Sequence, residues 1–199
     1  MIGAIVFILI FLFAITIHEA SHAAVADILG DPTPRLAGRL TLNPIPHLDP
    51  IGTLLPIIFI LSGSPMVFGW AKPVPINPYN FRNPVQGEIA VSVAGPASNF
   101  LAAWLVATLI KFIPFGVIAQ GATASMISSF ILINLALAVF NLIPIPPLDG
   151  SHILEPFLSY EAQRTLEQYG FFILIFILIF PPTSYLLMDI INFLFRLIT

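Results

Sequence analysis

A chain of 199 residues that is 58% hydrophobic and 9% charged, with a mean hydropathy of +0.99, holds far fewer charges than the roughly 25% usual for a soluble domain. This is the composition of an integral membrane protein. Seven Lys plus Arg and a formal net charge of -3 exclude a nucleic-acid surface, which needs clustered basic residues to neutralise phosphates. The absence of cysteine excludes disulfides and thiolate metal sites. Once several spans of about 20 residues each are subtracted, no second sizeable domain fits, so the expectation is one membrane-embedded unit over residues 1–199.

Residues 2–29 read as a first span, stopped by Gly30 and the Asp31-Pro32 breaker. Its run toward Ala24-Val25-Ala26 has the outline of a signal peptide with a small-residue cleavage site. No Lys or Arg precedes that run, however, and a bare hydrophobic core has no use for His18, Glu19 and His22. Residues 30–50, "GDPTPRLAGRLTLNPIPHLDP", are too rich in Pro and Gly for a helix, and the loose alternation of "RLAGRLTL" predicts a short strand. Residues 51–68 form an apolar run interrupted by Pro56 and Gly63. The spaced prolines of "FGWAKPVPINPYNFRNP", residues 68–84, predict an edge strand plus loop. Two clear spans follow, 88–112 and 126–143, the second running into "IPIPPLDG". Residues 152–168 are charged and amphipathic. The apolar tail 170–198 is split by Pro181-Pro182, into one kinked span or two short pieces.

Ionisable groups near a bilayer centre cost about 2.5–3.5 kcal/mol each, so those in the first span call for a functional reason. His18-Glu19-Ala20-Ser21-His22 has the H-E-x-x-H form. Residues four apart on an α-helix share a face, so both imidazoles point toward one spot. Glu19 stands beside that spot, placed to reach a metal-bound water as general base, as in the helical metalloproteases. The plainer alternative is a set of hydrogen-bonded polar residues at a helix interface. A catalytic zinc site needs a further protein ligand and an open position, and the remaining intramembrane acid is Asp149. Pro144, Pro146 and Pro147 must unwind the helix before it, which is tolerated at membrane depth only inside protein or beside a wet cavity. A helix-terminating Pro-Asp-Gly turn at the interface is the alternative there.

Taken together, the two motifs resemble the site-2 protease family of intramembrane zinc metalloproteases, which pair H-E-x-x-H on one span with N-x-x-P-x-P-x-L-D-G on a later one. Asn141, Pro144, Pro146, Leu148, Asp149 and Gly150 match the second pattern. "AGPASN" (94–99), "GRLTLNPIPHLDPIGT" and "FGWAKPVPINPYNFRNP" extend the resemblance over residues 10–155. It implies His18, His22 and Asp149 as ligands of one zinc ion per chain, Glu19 as catalytic base, and transmembrane proteins as substrates. For the oxyanion donor the candidates are Asn141, which the family pattern includes, His47 and His152. His47 could equally be a surface-loop histidine, His152 an interfacial side chain and Asp49 an Asx-turn former. Neither an inserted PDZ-like region nor a CBS-type domain is expected within these residues. A zinc transporter would need more intramembrane ligands than Asn99 in the middle segments, and a silent scaffold would not need Glu19.

One shared metal requires the first span and 126–143 to run in the same direction, so either 51–68 or 88–112 must fail to cross. The shorter, proline-interrupted 51–68 is expected to be re-entrant. The fold class is then a polytopic α-helical bundle with a small re-entrant and β-strand element near the active site. Arg35, Arg39, Lys72, Arg82 and Arg164 fall on one side and Lys111 and Arg196 on the other, which puts the site toward the cytoplasmic face of the plasma membrane. The extended "FGWAKPVPI" could pair with an unwound substrate by strand addition.

Overall fold

The computed structural model describes residues 2–62, 69–113 and 121–199. Helix α1, Ile2–Ile28, is an apolar rod whose hydroxyls bond back to their own helix, Thr16 Oγ1 to Leu12 O at 2.7 Å and Ser21 Oγ to Ile17 O at 2.7 Å. Gly30, at φ 105°, ends it: the next amide, that of Asp31, reaches back to Ala26 O at 2.9 Å. This reverse turn needs a left-handed residue and closes an otherwise open carbonyl. A single turn, α2, covers Thr33–Leu36. Beyond it lie α3, Pro50–Leu61, and α4, Pro84–Leu109, which begins on the Asn83 side chain accepting from Gln86 N at 3.2 Å. The remaining helices are α5 at Ala122–Asn141, α6 at Asp149–Leu154, α7 at Tyr160–Ile179 and α8 at Pro181–Ile198.

Among the described residues four segments are long and apolar enough to cross a membrane: Ile5–Ile28, Pro84–Phe112, Thr123–Asn141 and Tyr160–Ile179. The protein is a polytopic helical membrane protein. Moving up α1 from Ala14 through His22 to Ala26, the partners on the α4 side descend from Asn99 to Val91 to Phe81, so these elements are antiparallel. Phe13 meets Phe130 at 5.9 Å and His18 meets Asp149, so α1 and α5 run the same way and deliver their C-terminal ends together. At the other end of the bundle Ala103, Ala107, Ile131, Leu135 and Ile198 form a closed core, with α8 packed against α4 and α5.

Segment 51–68 does not cross where it is described. Helix α3 has 12 residues, about 18 Å of rise against a hydrocarbon core of about 30 Å. The chain then returns to its point of departure: Trp70 N donates to Gly52 O at 3.3 Å and Lys72 N to His47 O at 2.9 Å. Gly63 and the rest of 63–68, including Phe68, lie outside the described residues.

The expected strands are not found among the described residues. "RLAGRLTL" instead begins in the α2 turn and continues as bends, with Gly38 at φ 70°. Its Arg39, nearly buried, sends its guanidinium across to Lys72 O at 3.0 Å and Pro73 O at 3.3 Å. Residues 69–77 are extended but belong to no sheet; one isolated antiparallel bridge, Leu48 with Ala71, is the only β-pairing among the described residues. Prolines at 73, 75 and 78 remove the donors that a ladder needs, and a side chain takes the carbonyls instead. The tail resolves into two helices parted at Phe180, as its proline pair allowed.

Candidate metal centre

His18 and His22 are both 6% exposed, with ring centroids 4.6 Å apart and nearly perpendicular. Each ring has one nitrogen engaged behind it. His22 Nδ1 lies 2.7 Å from Val91 O, and since a carbonyl only accepts, Nδ1 carries the proton and Nε2 the lone pair. His18 Nδ1 lies 2.7 Å from Asn99 Oδ1. The two Nε2 atoms face Asp149 Oδ2 at 3.0 Å and 3.3 Å. Apart from these two ring nitrogens, that buried oxygen has no partner among the described residues.

Local sequence explains how the three groups meet. Leu142 N still closes on Ala138 O at 3.3 Å, but Pro144, Pro146 and Pro147 offer no amide, and the chain turns through short bonds, Ile145 N to Ile143 O at 2.8 Å and Leu148 N to Ile145 O at 3.0 Å. Asp149 opens α6, which folds back so closely that a Cβ on Gly150 would sit 2.4 Å from Leu142 O. On the opposite wall α4 presents Gly95, where a Cβ would lie 2.4 Å from His22 Nε2 and 2.6 Å from His18 Nε2. A glycine is needed there for backbone to lie against both rings.

The two Nε2 atoms and a carboxylate oxygen lie within 4.8 Å of one another, a spacing that one shared cation bridges. Two imidazoles and a carboxylate suit zinc and leave a fourth position open. Glu19, one residue along from His18, is half-buried, near enough to His22 to act on its charge, and makes no hydrogen bond or ion pair with the described residues.

The other candidates lie elsewhere in the network. Asn141 Nδ2 bonds back to Leu137 O at 3.0 Å on its own helix. His47 is not a surface residue: its ring is fully buried, with Nε2 at 2.9 Å from Thr41 O, and it pins the loop that flanks α3. Its donor is therefore spent, and it is not among the groups converging with Asp149. His152 is half exposed, 3.6 Å from Glu88 and 3.4 Å from Glu155, and pairs with these acids. Asp49 caps α3, accepting from Ile51 N at 3.0 Å and Gly52 N at 2.7 Å.

Sequence reasoning noted Asn99 only as a lone polar group in the middle segments and missed Asn134; both are fully buried and their amides meet at 2.9 Å, an amide inside an apolar span being the available signal. It also read Asp31 only as a helix breaker. Asp31 is buried and binds Thr33 on one side and Asn77 N and Asn80 Nδ2 on the other, both at 2.7 Å. Burial works against its charge, but the donors from Asn77, Thr33 and Asn80 outweigh it and hold the carboxyl below its ordinary range.

An imidazole pair on one span and an aspartate on the broken end of another, brought together inside a multi-pass helical bundle, define a membrane metalloprotease. The chain belongs to peptidase family M50, the site-2 proteases. The profile described as Peptidase family M50 matches residues 109–181. "Putative zinc metalloprotease YwhC" of Bacillus subtilis (strain 168) is 40% identical over 185 residues, covering 89% of this chain and 81% of that protein. "Putative zinc metalloprotease Rip2" of Mycolicibacterium smegmatis is 35% identical over 186 residues, covering 90% of this chain and 70% of that protein. No solved structure gives a significant match.

Proposed function

We propose that this protein hydrolyses peptide bonds within or beside transmembrane segments of other membrane proteins, with His18, His22 and Asp149 holding one zinc ion and Glu19 as the base. The observation that carries the reading is the convergence of two imidazole Nε2 atoms and a buried carboxylate oxygen on one point, beside a glutamate with no partner among the described residues. Zinc, when bound, supplies the Lewis acidity that makes water nucleophilic near neutral pH and polarises a carbonyl. Glu19 takes a proton from the attacking water and later gives it to the leaving amine, so that the carboxylate ends as it began. Val91 O and Asn99 hold the two imidazoles with their lone pairs forward. Asn141 is retained as the donor for the developing oxyanion, by the family pattern. The extended 69–77 segment, whose Lys72 and Pro73 carbonyls are already taken by Arg39, has few backbone groups left to receive a substrate strand.

The site is assigned to the cytoplasmic side of the plasma membrane by the excess of Lys and Arg in the loops next to it. A proteolysis assay in detergent against a panel of single-span substrates tests the activity. Wild type should cleave, and Glu19→Gln should not cleave yet should keep its zinc, because the amide preserves shape but cannot accept the proton. His18→Ala, His22→Ala and Asp149→Ala should each lower zinc content from about one per chain. Zinc flux through liposomes with no substrate cut would instead favour a transporter.

A further inference from the structure

We infer that Asn134, on α5 and out of contact with the converging donors, is a positioning residue that fixes through Asn99 which nitrogen of His18 faces the metal; this rests on the metal reading of the site. The direction of the chain of amides follows from its two backbone ends. Asn134 Nδ2 lies 2.9 Å from Phe130 O, an atom that can only accept, so the amide nitrogen of Asn134 points there and its oxygen points toward Asn99. Asn99 must then present its own nitrogen, 2.9 Å from Asn134 Oδ1 and 3.0 Å from Ala14 O, which spends both of its N–H groups. Only its oxygen remains for His18. An oxygen acceptor 2.7 Å from His18 Nδ1 requires the proton on that nitrogen, and leaves the lone pair on Nε2, facing Asp149.

Both asparagines are fully buried, so water cannot replace a missing link. Without Asn134 one buried N–H of Asn99 loses its acceptor and Ala14 O alone opposes the turned-over amide, which would offer a nitrogen to His18 and favour the tautomer whose Nε2 is protonated and cannot bind a cation. His22 needs no such relay, because Val91 O fixes it directly. The arrangement gives α5 two roles at the site: its broken end delivers Asp149, and its middle aligns the histidine that Asp149 meets.

The test is zinc affinity measured by chelator competition on folded, purified chain in detergent. Asn134→Leu, and the smaller Asn134→Ala as a second deletion, should weaken zinc binding by about 10- to 100-fold. Asn134→Asp should restore it to within a few-fold, since a carboxyl presents an acceptor to Asn99 whether or not it is protonated. The double variant Asn99→Leu/Asn134→Leu should bind no more weakly than Asn99→Leu alone. Ile131→Ala, a cut in the same α4–α5 interface with no route to His18, should lower the melting temperature and leave zinc affinity unchanged. Wild-type affinity in a folded Asn134→Leu, multiplying effects in the double variant, or equal loss in Ile131→Ala would each overturn the relay. If instead His18→Ala, His22→Ala and Asp149→Ala all retain zinc, it is the metal assignment that fails.

Discussion

A methyl group at position 95 has no room, because the Nε2 atoms of His22 and His18 already lie 2.4 Å and 2.6 Å from where it would be built. Gly95→Ala should therefore displace the imidazoles or push α4 away, and purified protein should retain well under half of the wild-type zinc, read by elemental analysis. The same substitution at Gly3, where nothing lies within 4 Å, should leave zinc content unaltered. Asp31 works by a different means, with four donors around one buried carboxylate. Asp31→Asn leaves donors facing an amide and should cost about 1–3 kcal/mol. Since the folded value is lowered, the contribution is complete above the ordinary carboxylate value of about 3.9 and is lost as pH falls through the folded one. Thermal melts of wild type and Asp31→Asn should accordingly differ at neutral pH and converge in strong acid. An equal gap at both pH values would remove the charge from the explanation.

At the level of elements, what could be read in advance was whatever depends on local backbone chemistry. The first span, its end at Gly30 and the break after α5 follow from glycine, proline and hydropathy in the chain, and the parallel course of α1 and α5 from requiring His18, His22 and Asp149 to share one metal. The strands did not follow, since alternation in "RLAGRLTL" describes a pattern of side chains but not a partner, and prolines 73 and 75 deny the partner its amides. His18, Glu19, His22 and Asp149 stood out because charge in an apolar run is costly. Asn99 and Asn134 did not, because a neutral amide costs less and its use is visible only when three helices meet. His47 allows a surface reading for a related reason: a loop rich in proline reads as surface, yet this one folds back over its own histidine, whose buried ring holds Thr41 O while its main-chain carbonyl accepts from Lys72 N and joins the two ends of the re-entrant segment.

The whole molecule places the flanks of that segment on a single face. Introduced one at a time into a chain with no native thiol, Thr41→Cys and Asn77→Cys should react alike with a membrane-impermeant reagent, and Gly121→Cys oppositely. In intact cells position 121 should label, while 41 and 77 stay dark until the membrane is opened. Labelling of 41 and 77 from opposite faces would make α3 and the residues after it a crossing segment and would separate His18 from Asp149.

The tail helix carries no recognisable motif, yet at Gly170 it lies against the proline break itself, where a Cβ would come within 2.7 Å of Pro146 O. That carbonyl belongs to the irregular stretch between α5 and α6, and backbone of this kind at membrane depth has to be packed in protein or face a wet cavity. Helix α7 thus serves as the outer wall of the turn that presents Asp149. The smallest active piece of this protein cannot be found by trimming to its sequence signatures, because removing α7 would leave the aspartate attached but the bend that aims it unsheltered.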